Sequence, residues 1–567
     1  MSQSIPRRSR ATRQSRTVVA AMSLIVVLGL AAAWVGAVGT TRYVDFSTCP
    51  AGGSGTQGNP YCRIQDAICA AVSGDTVSVA PGTYPEAIRM RPGVSVLSQG
   101  GAAVTTINGS GKSCTDFDFC TKRTGNQCSV VLFGSGHTTA THLEGFTLTG
   151  GAGVNQNGPA PTPFQIAGGG IFVFSSPTIM NNVITGNVLA GTQRQYNGAG
   201  IYVAVGSPVI SNNTITGNRA VPGAGTSGNI TYGYGGGIWV GFSSDPIITS
   251  NIITGNRAGD PNTDYSVGSG GGIVVFPGDA SRPGPLIDRN LIADNVTDSL
   301  GGGIGLNSLQ NTGARAVVTN NVIVGNSAKE GGGVYIYFDK TNLVNNTITN
   351  NLGFLGGGVY SGQNDPNLAV NITNNIIEGN RLEQFGTGGG IYTLDLSATF
   401  DPDIRNNDLW NNDRNQIAGD RTDAGTIGTN GNFSADPRFI NRAARDFHLD
   451  PNSPAIDSAS STLAPLIDKD GLPRGVDGNG APNSPMPGDD DVGAYERQLT
   501  CVPTPEVCDG ADNNCNTLID EGFIDTDADG QADCVDGDDD NDTAPDAIDC
   551  APLNATASGI PFEVADL

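Results

Sequence analysis

The sequence predicts an all-β chain wound into a parallel β-helix with three strands per coil. The first observation is a phrase that returns eight times between Gly168 and Asn412. It runs as a glycine triplet, Ile or Val, an aromatic residue and Val or Ile. A Pro or apolar pair follows, then Asn-Asn, then Ile or Val with Thr-Gly-Asn. Gly168-Gly169-Gly170-Ile171-Phe172-Val173 leads to Pro177, Asn181-Asn182 and Ile184-Thr185-Gly186-Asn187. The phrase returns with Gly198-Ala199-Gly200 and with triplets at Gly235, Gly270, Gly301, Gly331, Gly356 and Gly388, at intervals of 25 to 37 residues. Such a period means stacked units, none able to bury its own core alone. The second observation is that each unit holds three short β-branched runs separated by Gly, Asn and Pro, which read as strands and turns. No 3.6-residue periodicity links the runs.

The chain opens on the same plan. Arg42-Tyr43-Val44-Asp45 reads as a strand, Ile64 to Val72 as a short amphipathic helix, and Asp75 to Tyr84 as strand and turn. An end coil exposes apolar stack and open strand edges, so a helix there serves as a plug. The Asn pairs recur at Asn212-Asn213, Asn320-Asn321, Asn345-Asn346, Asn374-Asn375 and Asn406-Asn407, with single members Asn251 and Asn290. Asn tolerates the left-handed conformation of a tight turn. Stacked along the axis, these residues predict a structural ladder. Together these features resemble the right-handed parallel β-helix of the pectin-lyase-like superfamily, from Arg42 to Asn412, with residues 40–410 as the coil and its N-terminal cap. The resemblance implies the fold and leaves activity open, because one fold hosts many functions.

Residues 411–500 change character. Ser434-Ala435-Asp436-Pro437-Arg438-Phe439, Asp446-Phe447-His448-Leu449, Asp468-Lys469-Asp470-Gly471 and Asp491-Val492-Gly493-Ala494-Tyr495 resemble the choice-of-anchor segment that closes many bacterial surface β-helix proteins. The resemblance implies a C-terminal cap on an exported chain, with His448 a packed or edge residue. Residues 501–567 change again, with eighteen Asp or Glu and no Lys or Arg. Asp525, Asp527, Asp529 and Asp533 are spaced around Gly530, so alternate carboxylates converge as in the opening of an EF-hand loop. No Glu stands at the twelfth position; Asp536 does. The continuation Asp538-Asp539-Asp540-Asn541-Asp542 resembles a thrombospondin type 3 repeat, and Glu506 to Cys515 resembles a Cys-Asp metal-binding motif of bacterial surface proteins. Hard oxygen donors favour Ca²⁺ over softer metals. The expected ligands are Asp525, Asp527, Asp529, Asp533, Asp536, Asp538, Asp540 and Asp542.

A net charge of −25 and a pI near 4.3 exclude nucleic acid and anionic membrane as natural partners. Residues 1–39 carry five Arg followed by an apolar run from Val18 to Val38. That reads as a signal peptide cleaved near Ala37-Val38-Gly39, with an uncleaved anchor as the alternative. Both place the body outside the cytoplasm, secreted or at the cell surface. Eleven Cys fall into clusters: Cys49, Cys62 and Cys69; Cys114, Cys120 and Cys128; and five from Cys501 to Cys550. In an exported chain such clusters read as disulfides, with the pairing open and one thiol left over. There is no CxxC pair, and three His in all, so zinc is a poor fit.

Two surface features point to binding. Side chains alternate along a strand, so if Ile171, Ile201, Ile238 and Ile391 face inward, the residues after the triplets face out. These are Phe172, Tyr202, Trp239, Val274, Gly305, Tyr335, Tyr360 and Tyr392, an aromatic stripe with rungs about 4.8 Å apart. The six aromatics are the expected carbohydrate-binding residues, and self-stacking is the alternative. The insertions 188–197, 219–234 and 257–269 leave from one corner and predict a loop wall bearing Arg194, Tyr196, Tyr232, Tyr234, Asp260, Asp264 and Tyr265. In the superfamily it resembles, lyases use acidic calcium ligands with an Arg or Lys base, and hydrolases use paired carboxylates. Asn262-Thr263-Asp264 matches a polygalacturonase tripeptide without that family's companion motifs. The strands of the central rungs offer no Arg or Lys, so no catalytic residue is assigned. Three functions follow: a non-catalytic surface protein with a carbohydrate- or partner-binding face and a calcium module, a polysaccharide lyase or glycosidase, or an adhesin or envelope structural protein.

Overall fold

The computed structural model describes residues 39–49, 53–112, 129–156, 165–189, 194–221, 230–260, 266–276, 278, 281–307, 315–337, 340–363, 370–395, 402–476, 490–498, 505–510, 519–549 and 551–557. The signal-peptide reading, Cys114, Cys120, Cys128, Asp264 and Tyr265 lie outside them. The chain divides into two compact units, residues 1–497 and 498–567. No helix among the described residues is long and apolar enough to cross a membrane.

The first unit is the expected coil. Three parallel sheets run its length, of twelve, eleven and eleven strands. Sheet A runs from Thr41–Val44 to Asp403–Arg405, sheet B from Gly82–Tyr84 to Asp408–Trp410, and sheet C, which follows the glycine triplets, from Ile88–Arg89 to Ile417–Gly419. Each rung sends one or two β-branched or leucine side chains from every sheet into a continuous buried core, Ile201, Val203, Ile210 and Ile215 in one rung and Ile238, Val240, Ile248 and Ile253 in the next. The helix Ile64–Ala70 plugs the open end with Ile64, Ala67 and Ile68. It lacks a side-chain cap of its own; Glu86 takes that role, accepting from the amides of Ile64 at 2.8 Å and Gln65 at 3.1 Å. Cys49 is bonded to Cys62, and Cys69 is also disulfide-bonded.

The Asn pairs divide the labour at the corner between sheets A and B. The first residue takes the left-handed conformation, as at Asn181, Asn212, Asn320, Asn345 and Asn374. The second turns inward and stacks. Asn213, Asn251, Asn290, Asn321, Asn346, Asn375 and Asn407 pass one side-chain hydrogen bond per rung, each Nδ2 to the next Oδ1 at 3.0 Å. A second ladder, not anticipated, runs through the Asn of the Thr-Gly-Asn signature, from Asn187 through Asn218, Asn256, Asn295, Asn326, Asn351 and Asn380 to Asn412. The triplets are required by crowding. A Cβ on Gly237 would stand 2.5 Å from the Gly272 carbonyl oxygen of the next rung.

Two expectations change. The described parts of the insertions are not loops. They form strands: Val188–Leu189, Arg219–Ala220 and Arg257–Ala258 build one ladder that Val296–Thr297 continues, and Gln195–Asn197, Thr231–Tyr234 and Ser266–Ser269 build another that includes Gln165–Ala167. They stack because each insertion meets its own neighbour in register, Gln195 opposite Tyr232 and Arg219 opposite Arg257. The second change concerns the segment after the coil. Residues 415–433 close the last turn, with Gln416 and Asn432 ending the two ladders. Residues 434–476 and 490–497 then lie as a strap over the outer face of sheet B. Phe439, Phe447, Leu449, Ala455, Ile456, Ala459, Val492 and Ala494 cover Ala293, Val322, Val324 and Ile376. Arg474 fastens the strap from within. It donates to Glu496 Oε2 and to Asn320 Oδ1, both at 3.0 Å, and to the carbonyls of Gly493 and Ala494.

Candidate metal loops and the aromatic ladder

Six of the eight expected metal ligands come together, in two groups of three. The ligand oxygens of Asp525, Asp527 and Asp529 lie within 4.8 Å of one another, as do those of Asp538, Asp540 and Asp542. The two groups sit on equivalent loops thirteen residues apart. Gly530 donates to Asp525 at 3.1 Å and Thr543 to Asp538 at 3.0 Å. The amide of Asp529 donates to Asp527 and that of Asp542 to Asp540. Ala528 and Asn541 share a left-handed conformation, with φ of 62° and 55°. Asp533 and Asp536 fall outside both groups. Asp533 braces the first loop by accepting from Thr526 at 2.7 Å, and Asp546, not anticipated, accepts from the amide of Asp539 at 3.0 Å. Asp536 accepts from the amides of Gly537 and Asp538. The register was readable: Asp525, Asp527, Asp529 and Asp533 each have an Asp thirteen positions later.

The donor set fits a hard cation. Asp540 is 6% exposed, and its Oδ2, Asp542 Oδ2 and Asp538 Oδ1 are buried without a hydrogen-bond partner. Buried carboxylate oxygens without a partner are costly, and a cation offsets that cost. The loops touch, since Asn541 donates to Asp527. The carboxyl of Asp539 is pushed up to about 6 by desolvation and by Asp546, Asp533 and Asp536 nearby. A disulfide joins Cys508 to Cys534, directly after the first loop.

In the first unit the aromatic stripe forms and is consumed by its own stacking. Phe172 and Tyr202 have ring centroids 5.0 Å apart, Tyr202 and Trp239 stack at 4.3 Å, and Trp239 meets Phe276 at 5.7 Å. Beyond the gap at Val274 and Gly305 the ladder resumes with Tyr335, Tyr360 and Tyr392, at 4.9 and 5.6 Å. Phe172, Tyr202, Trp239, Tyr335 and Tyr360 are buried; Tyr392 alone of the six is half-open. The inserted strands contribute to that burial, with Ala167 and Tyr234 packed on the first stretch. Burial pushes the Tyr202 hydroxyl up to about 12. Of the wall residues, Tyr196 is fully buried in a small core with Ile166, Leu189, Ala199 and Ala220. Arg194 is exposed, Tyr232 and Tyr234 stack half-exposed at 5.9 Å, and Asp260 pairs with Arg257 at 3.5 Å. The expectation that the strands offer no Arg is corrected: Arg219 and Arg257 stand in register on the inserted strands, where the insertions had read as loops.

A family model described as the right-handed β-helix region matches residues 224–371. The chain is a right-handed parallel β-helix protein. A second model, of a protein family of unknown function, DUF1565, matches residues 51–259 of this β-helix protein. No curated protein matches it in sequence. Among solved structures it is similar in coil to XylC in complex with xylose, at 11% identity and a TM-score of 0.43, covering 80% of this chain and 98% of that one. It is also similar to pectate lyase Pel9A, at 14% identity and 0.35, covering 81% and 98%. A lacto-N-biosidase of family GH136 from Eubacterium ramulus aligns at 13% identity and 0.31, covering 64% and 68%. These likenesses concern the fold and assign no activity to the β-helix protein.

Proposed function

We propose that this chain is an exported, non-catalytic β-helix scaffold that presents its flank to a polysaccharide or another cell-surface component and ends in a calcium-stabilised module. The observation that carries the reading is the pair of equivalent carboxylate loops, the second of which holds buried oxygens of Asp538, Asp540 and Asp542 without a hydrogen-bond partner. Extracellular calcium modules bind at about 10⁻⁴ to 10⁻³ M, so such loops fill outside a cell and not inside. The burial of the aromatic ladder moves any sugar contact away from the ring faces of Phe172, Tyr202, Trp239, Tyr335 and Tyr360. The half-exposed Tyr232, Tyr234 and Tyr392 remain as rings a saccharide could reach.

Calcium titration of the full chain, followed by calorimetry and circular dichroism, tests the module. Two sites with ordering of residues 505–557 are expected, and Asp540→Asn should abolish one of them. A heat signal and spectrum indifferent to calcium and chelator would overturn the reading. The alternative of a polysaccharide lyase draws support from one observation, the in-register pair Arg219 and Arg257. Incubation with acidic and neutral polysaccharides, with unsaturated and reducing-end products followed, separates the two. Product formation would replace the scaffold reading, and retention without product would support it.

A further inference from the structure

We propose that His448 is a proton-operated clasp, fastening the strap's hairpin to its Asp468–Leu472 turn as an imidazolium and releasing it as a neutral ring. The hairpin pairs Phe439–Asn441 with Asp446–Leu449. From its second strand the His448 ring reaches two carboxylates on separate segments. Nδ1 lies 2.5 Å from Asp446 Oδ1 and Nε2 lies 2.7 Å from Asp470 Oδ2. The ring also lies against Tyr495, with centroids 4.0 Å apart.

The chemistry is a matter of counting protons. An ionised carboxylate only accepts, and a neutral imidazole carries one N–H and one lone pair. A neutral His448 therefore donates to Asp446 or to Asp470 and turns a lone pair on the other. The imidazolium donates to both, and its charge also favours the Tyr495 ring face. Among the described residues the groups around it are few. Asp446 shares its strand, Asp470 and Asp468 come from the turn, and Tyr495 comes from the end of the strap. Lys469 is directed away, with its Nζ donating to the Arg289 carbonyl of the coil at 3.0 Å beside Asp288. That bond moors the turn, as the amides of Asp470 and Leu472 on Asp468 Oδ1 shape it. The clasp thus ties the hairpin to a turn already fixed on the coil. Desolvation pulls the His448 value down, but Asp470 and Asp446 outweigh it and hold the ring above its ordinary 6.5. A value raised on folding means the clasp is fully made below about 6.5 and is lost as pH rises through the folded value.

The test is an NMR titration of the histidine rings in the full chain, with amide hydrogen exchange at pH 6 and pH 9. His137 and His142, both held below 6.5 chiefly by burial, serve as internal references. His448 is expected to titrate last. Protection factors across residues 439–449 and 468–472 should fall several-fold between the two pH values in the native chain. Asp408, Asp491 and Glu496, raised by burial, also ionise near neutrality in this region, so the decisive comparison is His448→Gln, in which the clasp's share of that fall should vanish. Asp470→Asn should bring the His448 titration down toward 6.5. A His448 that titrates at or below 6.5, or a His448→Gln chain with the native fall in protection, would overturn the proposal.

Discussion

Asn290 shows what a single ladder residue holds. Its Nδ2 reaches the Ile248 carbonyl at 2.8 Å and Asn321 Oδ1 at 3.0 Å, while its Oδ1 accepts from the backbone and side-chain amides of Asn251. Asn290→Ala leaves several buried groups unpaired at about 1–3 kcal/mol each, so a loss of about 3–5 kcal/mol in urea unfolding is expected. Asn212, exposed at a φ of 55°, carries no such duty. Asn212→Gly should alter stability by less than about 1 kcal/mol, since glycine adopts that conformation freely. The sequence displays the turn residue and the ladder residue as one Asn-Asn motif at Asn212-Asn213, whereas Asn290 follows Arg289, which takes the left-handed turn there at a φ of 56°. Their different duties follow from which of the two takes the left-handed turn, and that is decided by the coil. Asp408 shows a different economy. One oxygen accepts from Ala435 at 3.0 Å, the other is buried without a partner, and burial, with Glu378 and Asp436 nearby, pushes the carboxyl up to about 8 from 3.8. A raised carboxyl costs stability as pH climbs from about 4 to 8, because the unfolded chain ionises first. Asp408→Asn should therefore gain about 1–3 kcal/mol at pH 8 and nothing below pH 4, measured as the difference in melting temperature across that range.

At the scale of elements, the aromatic stripe and the inserted strands explain each other. Alternation along the strand correctly placed Ile201 and Ile238 inward and Tyr202 and Trp239 outward. Outward from the coil is not outward to solvent, because the insertions fold down as strands beside the stripe. Their composition, rich in Gly, Asn and Tyr, has the look of loops, and one insertion alone would be one. The missing signal lies between rungs: Arg219-Ala220 and Arg257-Ala258 recur directly after the Asn ladder, and Tyr232 and Tyr234 continue the register of Gln195 and Asn197. Trp239→Ala consequently tests packing. With Trp239 stacked on Tyr202 and in contact with Phe276, truncation should cost about 3–5 kcal/mol, read from chemical denaturation. An unchanged unfolding midpoint would return the ring to the solvent-facing role expected from alternation.

At the scale of the whole coil, the strap decides whether the β-helix has a bare apolar flank. The change of composition after residue 410 marked a new segment, but its course could not be read from it. An end cap and a strap both need a few apolar residues amid turns, and only the partners Ala293, Val322, Val324 and Ile376 on the sheet B face distinguish them. The strap's tie is Arg474, buried with Glu496, and such a pair is weak evidence for net stability but costly to break from one side. Arg474→Ala would take the guanidinium from Asn320 Oδ1, from Glu496 Oε2 and from the carbonyls of Gly493 and Ala494, leaving the last three only the Asp491 amide, Asn345 Nδ2 and the Lys469 amide as donors and the buried Glu496 without its countercharge. The expected cost is about 3–5 kcal/mol, and its distribution is the informative part. The strap meets the coil from Arg289 to Asp408, whereas the ladder between Asn182 and Asn256 makes its bonds within the coil alone. Hydrogen exchange in Arg474→Ala should therefore accelerate across residues 439–476 and 490–497 and the rungs from Leu291 to Ile376, and stay native around Asn213 and Asn218. The freed face of Val322, Val324 and Ile376 should drive association, visible as a rise in light scattering with concentration. Uniform acceleration along the coil would instead show that strap and coil unfold as one unit.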